Sequence, residues 1–244
     1  MFFSPAAEDK HPGVLVLGWS EGGVPLRRAA WLASHGYAEF ALCYFHREGT
    51  PPNLENIPLE YFGKALGWLT SRPEVAADLR TVTATSRGGE LALQHGSMYP
   101  QIKAVVAYVP ANVRSQSCCQ AQPRPSWTWQ GERLAWAAPR PKGDSAVMWR
   151  AAIPVEHTHG SIMVIGGEDD GVWPSAEMVD AVAARLRESH FANQFVVLNY
   201  PHAGHRAGLP EMMPAWHKGV VHPLPGKRSN WAALPREMPR LLSM

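Results

Sequence analysis

The chain has 244 residues, long enough for a sizeable core, with 45% hydrophobic and 18% charged residues, which excludes a disordered or fibrous protein. A formal charge of +2 is too small to argue for nucleic acid or an anionic membrane as partner. No stretch reaches the roughly 18 to 20 uninterrupted apolar residues needed to span a bilayer.

The first residues, Met1-Phe2-Phe3-Ser4-Pro5, carry neither a basic nor a long apolar signal region, so the expected location is cytoplasmic. Gly13 to Leu17 reads as a fully buried strand, and Pro25 to His35 as a helix with Ala29, Leu32 and Ala33 at helical spacing, stopped by Gly36. Between them lies the glycine-rich loop Gly18-Trp19-Ser20-Glu21-Gly22-Gly23. Ala38 to Cys43 is a second strand, and Leu59 to Ser71 a second helix with Tyr61, Phe62, Ala65 and Trp68 expected on one side.

The alternation continues. Strands are expected at Thr81 to Ala84, Ile102 to Val109, Ile162 to Ile165 and Phe195 to Leu198, with helices from Gly88 to about Met98 and from Ser175 to Glu188. Strands without two-residue alternation, separated by helices, imply an α/β fold: a mainly parallel sheet of about six strands covered by helices on both faces. From Pro110 to Ala152 the rhythm breaks into proline, glutamine, arginine and tryptophan, including Trp127, Trp129, Trp136 and Trp149 among Pro123, Pro125, Pro139 and Pro141. This stretch is expected to form a cap-like insertion at about 110–152 within a single domain spanning 1–244. Most of its indole rings should pack it onto the body; Trp127 and Trp129, with Trp19 of the glycine-rich loop, are the candidate substrate contacts.

Three apolar runs end in residues that carry chemistry. Thr81-Val82-Thr83-Ala84 leads into Thr85-Ser86-Arg87-Gly88-Gly89. Ile162 to Ile165 leads into Gly166-Gly167-Glu168-Asp169-Asp170, and Phe195 to Leu198 into Tyr200-Pro201-His202-Ala203-Gly204-His205. A serine hydroxyl attacks a carbonyl only when a base takes its proton and the backbone presents it clear of the sheet, which a sharp strand-to-helix turn flanked by small residues achieves. Ala84 and Gly88 flank Ser86. Asp170, just past its strand, is the preferred acid over Glu168 and Asp169; His205 is the preferred base over His202. The order Ser, Asp, His is that of α/β-hydrolase triads.

An oxyanion would be met by the backbone N–H of Arg87 at the positive end of its helix, and by N–H groups of Ser20 and Glu21 in the glycine-rich loop. If the chain reverses its winding after the second strand, that loop lies beside Ser86 at the switch point. No cofactor or metal is called for: His157 and His159 form an H-x-H pair without a third ligand at a recognised spacing. Cys43 reads as a small buried hydrophobe, and the adjacent Cys118 and Cys119 as outside any disulfide framework. Arg27, Arg28 and Arg140 read as surface charge, with no phosphate clamp evident. The expected partner is a small-molecule ester or thioester; oligomeric state is not legible.

These segments also resemble a known family, the catalytic domain of acyl-CoA thioesterases and bile acid-CoA:amino acid N-acyltransferases. The resemblance runs through His11-Pro12-Gly13-Val14, Leu32-Ala33-Ser34-His35-Gly36-Tyr37, Leu59-Glu60-Tyr61-Phe62, Ser86 to Leu91, Ile153-Pro154-Val155-Glu156, Gly167 to Ser175 and Tyr200 to His205, and weakens after Leu209. It implies an α/β-hydrolase fold with Ser86 as nucleophile, Asp170 as acid and His205 as base, acting on acyl-CoA or carboxylic esters. Hydrolysis, transfer of the acyl group to an amino acid, dienelactone-hydrolase-like or general esterase activity, and a catalytically silent binding role are the alternatives it leaves open. The chain departs from the family at Ala84, where glycine is usual, and at Trp19, where a small residue is expected. The stretches that carry the resemblance all fall in the catalytic domain, and the N-terminal β-sandwich domain of longer members is not expected within these residues.

Overall fold

A computed structural model of the chain describes residues 1–6, 9–118, 122–139 and 145–207, together with backbone pairing at 220–221 and 228–229. Cys119, Arg140, Pro141 and Leu209 lie outside the described residues. In chain order the elements are β1 (Phe2–Phe3), β2 (His11–Leu17), α1 (Leu26–Ala33), β3 (Ala38–Leu42), β4 (Ile57–Pro58), α2 (Glu60–Thr70), β5 (Val75–Thr85) and α3 (Arg87–Met98). They continue with β6 (Ala104–Tyr108), β7 (Trp127–Trp129), β8 (Glu132–Arg133), α4 (Ser145–Ala151), β9 (Ser161–Gly167), α5 (Ser175–Glu188), β10 (Phe195–Tyr200), β11 (Val220–Val221) and β12 (Arg228–Ser229).

The main sheet has seven strands in the order β1-β3-β2-β5-β6-β9-β10. The six expected strands run parallel. The seventh, β1, adds an antiparallel edge by pairing Phe2 with Phe40 and Phe3 with Glu39. Two residues are too few to carry a periodicity, so no strand is expected there from pattern alone. Because β2 lies between β3 and β5, the winding does reverse after the second strand, and the loop leaving β2 borders the one leaving β5.

Alternate side chains of each strand enter different cores. Leu15, Leu17, Val82, Ala84, Val105, Ala107, Ile162 and Val164 pack with Phe62, Leu66, Leu69, Leu91, Leu93, Val179 and Leu186 of α2, α3 and α5. Val14, Val16 and Ala41 face Ala29 and Leu32 of α1 on the other side. Burial on both faces is why these strands read as continuous apolar runs. Helix α2 departs from expectation: it buries Phe62, Ala65, Leu66 and Leu69. Tyr61 and Trp68 stay more than a third exposed. Tyr61 instead donates its hydroxyl to the Cys43 carbonyl at 2.7 Å. Trp68 packs against the edge aromatics Phe2, edge to face, and Phe40, tilted.

The Trp/Pro-rich stretch is tied into the body. β7 pairs parallel with β4 and antiparallel with β8 in a small second sheet, and isolated bridges join Val113 to Ala152, Ser115 to Ala137 and Gln116 to Pro125. Cys118 is disulfide-bonded, contrary to expectation. Cys43 is half-buried, with its thiol on the Phe45 carbonyl. Among the described residues, no helix is long and apolar enough to cross a membrane.

Candidate active site

Ser86 is the single residue between β5 and α3. Its backbone, at φ 60° and ψ −122°, is strained for any side chain beyond glycine. Two hydrogen bonds hold it there: the Ser86 N–H donates to the Tyr108 carbonyl at 2.8 Å, and the Ser86 carbonyl accepts from the Glu90 N–H at 3.0 Å. The turn also demands bare backbone at Gly88, where an added Cβ would lie 2.2 Å from the Gly18 carbonyl oxygen and 2.8 Å from the Ala84 Cβ. Ala84 itself is buried in the core, so its methyl is accommodated while Gly88 supplies the space.

The acid turn follows β9. Asp170 Oδ1 accepts from the Val172 N–H at 2.9 Å and the Trp173 N–H at 3.3 Å, and its carboxylate has no exposure to solvent. His205 Nδ1 lies 2.8 Å from Asp170 Oδ2 and 3.0 Å from Oδ1, while Nε2 lies 2.8 Å from Ser86 Oγ. With a carboxylate at Nδ1, the network assigns the proton to that nitrogen and leaves Nε2 to accept from the serine hydroxyl. The Trp173 ring meets His205 at right angles, 4.7 Å between centroids, and its indole N–H is anchored on the Val109 carbonyl. The loops carrying Asp170 and His205 touch through Gly167, where a Cβ would fall 2.4 Å from the Ala203 carbonyl oxygen. The rival residues pair with each other elsewhere: His202 Nδ1 is 3.5 Å from Asp169 Oδ2 at the exposed surface. Glu168 is exposed as well.

The loop after β2 is shaped by its neighbours. The Gly22 N–H bonds the Trp19 carbonyl, and His46 Nδ1 donates to the Glu21 carbonyl at 3.1 Å. Tyr44 Oη donates to the Gly18 carbonyl at 2.9 Å. Gly22 has φ 69°, and a Cβ there would strike His46 Cβ at 2.6 Å, so only glycine fits. Trp19, Ser20 and Glu21 therefore sit in a turn whose Gly18 end abuts the start of α3.

Behind Ser86 lies a network that the sequence did not reveal. Arg87 is buried, and its guanidinium donates to Glu90 Oε2 (2.5 Å), Ser126 Oγ (2.5 Å) and the Ser115 carbonyl (3.2 Å). Glu90, with no exposure, accepts through Oε1 from the Ser115 N–H at 3.0 Å and the Trp127 indole N–H at 2.7 Å. Trp127 is thus corrected from substrate contact to internal anchor: it is 1% exposed and its one polar atom is taken by Glu90. Trp129 is corrected too. Its ring meets edge-on that of Tyr99, the residue that ends α3, and α3, with 12 residues, is about 18 Å long from the Ser86 end. The available signal for Glu90 was a charged pair three residues apart in the first turn of α3.

Among the described residues, no cluster of three or more His, Cys, Asp or Glu is placed to hold a metal ion. His157 and His159 are exposed, and His157 lies 3.9 Å from Glu156. Arg27 is exposed, whereas Arg28, read as surface charge, is buried with its guanidinium 4.4 Å from the Tyr108 ring centre.

A parallel sheet reversing at β2, with a strained serine turn between β5 and α3, defines an α/β-hydrolase fold, and solved structures agree. A putative dienelactone hydrolase from Klebsiella pneumoniae superposes with TM-score 0.58 at 20% identity, covering 83% of this chain and 79% of that one. Acetyl xylan esterase 1 from Thermoanaerobacterium gives 0.58 at 18%, covering 86% and 74%. The chain belongs to the BAAT / acyl-CoA thioester hydrolase C-terminal family, whose model matches residues 57–232. Human acyl-coenzyme A thioesterase 2, mitochondrial, is 28% identical across 96% of this chain and 50% of its own length. Mouse acyl-coenzyme A amino acid N-acyltransferase 1 is 30% identical across 83% and 50%. The chain spans about half the length of the curated relatives it matches.

Proposed function

We propose that this chain is a serine hydrolase that cleaves acyl thioesters such as acyl-CoA, or carboxylic esters, through an acyl-Ser86 intermediate. The observation that carries the reading is the continuous row from Ser86 Oγ through the His205 ring to the buried Asp170 carboxylate. Family membership supports the choice of acyl group chemistry.

In this reading His205 Nε2 takes the Ser86 proton as Oγ attacks the acyl carbonyl, and Asp170 offsets the imidazolium charge and holds the tautomer. The oxyanion is met by the Arg87 N–H at the start of α3, which has no carbonyl four residues back within the helix, and by the Ser20 and Glu21 N–H groups across the gap. Collapse expels the sulfur or oxygen leaving group, which takes the proton from His205 and departs as thiol or alcohol, leaving the imidazole neutral. His205 then deprotonates a water that attacks the ester, releasing the carboxylic acid and restoring Ser86. Trp19, at the same loop, is our remaining candidate for a substrate-facing ring. We assign residues 1–244 to one catalytic unit carrying an insertion at about 110–152, acting on a small molecule in the cytoplasm.

Transfer to an amino acid is the second reading, suggested by the N-acyltransferase among the relatives. An acyl group on serine is an oxygen ester, less open to amine attack than a thioester, so Ser86 favours water as acceptor. The test is Ser86→Ala, expected to lower kcat/KM by about 10^4-fold or more on whichever substrate the wild type prefers among acyl-CoAs, p-nitrophenyl esters and lactones. Full hydrolysis by that variant removes the nucleophile, and amide product in the presence of glycine or taurine turns the assignment to transfer.

A further inference from the structure

The buried Arg87–Glu90 pair has no part in the proton path, yet its arginine is the residue whose own backbone N–H would face the oxyanion. An ion pair out of reach of water is held only where further hydrogen bonds complete it, and here they come from a distant stretch: Ser115, Ser126 and Trp127. Three contacts on one planar guanidinium fix the Arg87 side chain, and with it the peptide joining residues 86 and 87.

The same carboxylate reaches the opposite side of the gap. The Trp127 ring that donates to Glu90 stands 6.1 Å from Tyr44 and 6.4 Å from Phe62. Tyr44 in turn carries the Gly18 carbonyl on its hydroxyl, and Gly18 sets the position of the glycine-rich loop against Gly88. One buried cluster therefore underlies both flanks of the candidate oxyanion site, and β7 contributes its central ring.

We infer that Glu90 is a positioning residue: through Arg87 and Trp127 it sets the spacing of the backbone donors around the oxyanion, and the stretch from Ser115 to Trp127 braces the site from behind. The inference rests on the reading of Ser86 as nucleophile. Oxyanion donors act only when held at hydrogen-bond distance from where charge develops, so loosening their frame lowers transition-state stabilisation and leaves ground-state binding nearly unchanged.

The test is Glu90→Gln, which keeps the side-chain volume and an acceptor for Trp127 and Ser115 but removes the charge that holds Arg87. Activity is measured per active site, titrated with a fluorophosphonate. We expect kcat to fall about 10- to 100-fold, KM to stay within about twofold, and the Ki of an alkylboronic acid, which mimics the tetrahedral adduct, to weaken by a similar factor. Arg87→Lys, which keeps a cation on Glu90, should retain more activity than Arg87→Gln.

Unchanged kcat and boronate affinity in folded Glu90→Gln overturn the inference, as does a rise in KM alone, which would make the stretch a substrate wall. Should that variant not fold, Trp127→Phe removes the donor to Glu90 and leaves a smaller aromatic ring in its place. Its kcat should fall about 3- to 10-fold with KM steady, and an unchanged kcat overturns the inference equally. Wild-type protein that never labels at Ser86 brings down the nucleophile reading itself. Normal labelling with indifferent variants brings down only the brace.

Discussion

Glu90 on α3 and Glu39 on β3 are both without exposure to solvent, on opposite faces of the same sheet. Around Glu90 each carboxylate oxygen has a donor: Arg87 on one, Ser115 and Trp127 on the other. Among the described residues, neither oxygen of Glu39 has a hydrogen-bond partner. Burial pushes the Glu39 carboxyl up to about 9, and the charge of Arg28 only partly opposes it. The cost of an inaccessible carboxylate thus depends on its donors, and this protein supplies them beside the candidate active site and withholds them beneath α1.

The largest test of that contrast uses the third buried carboxylate, Asp170, whose Oδ1 accepts from two backbone N–H groups and whose two oxygens face His205. Asp170→Asn should lower kcat by about 10^4-fold with little change in fold, because an amide there no longer secures the proton on Nδ1. Steady-state rates with a circular dichroism spectrum check it. Next is Glu90→Leu, which strands the Arg87 cation and should destabilise the protein by about 3 to 5 kcal/mol in urea unfolding. Adding Arg87→Met should recover much of that loss, since replacing both partners of a buried pair is tolerated.

Glu39→Gln should act in the opposite direction. The unfolded carboxyl ionises near 4.5 whereas the folded one keeps its proton to about 9, so between those values the folded state holds the extra proton. Stability then falls as pH rises through that window, at up to about 1.4 kcal/mol per pH unit. The amide variant should flatten this slope and gain on the order of 2 kcal/mol at pH 8, read from denaturation at pH 5 and pH 8; an unaltered slope would show Glu39 to be solvated or paired. Smallest is Ser126→Ala, which takes one acceptor from Arg87 and should cost about 1 kcal/mol.

The meeting of Ser86, Asp170 and His205 was legible because each stands at the end of a parallel strand, and parallel strands deliver their C-terminal loops to one edge. The helices were legible to within a few residues for the same local reason, and Ser175–Glu188 was read with its boundaries. What escaped were relations across the chain. Trp127 and Glu90 are 37 residues apart, and nothing in an indole's neighbours announces that its N–H will be spent inside. Tyr61 and Trp68 looked like core aromatics because their spacing suits a helix face, but the face α2 buries is set by Leu66 and Leu69. Glu39 interrupts an apolar strand by one residue, a pattern that on its own reads as an outward-facing position.

The contact at Gly88 has a consequence for how this site can be altered. The gap between the first turn of α3 and the carbonyl of Gly18 is held by atoms that are missing, so it cannot be widened in small steps: the first methyl group already collides with main chain. Exchanging the oxygen of the proposed nucleophile at position 86 for sulfur leaves this clearance untouched. An engineer could therefore change the atom at position 86 while inheriting the architecture around it, whereas no side chain at 88 offers a gradual path to a roomier cleft.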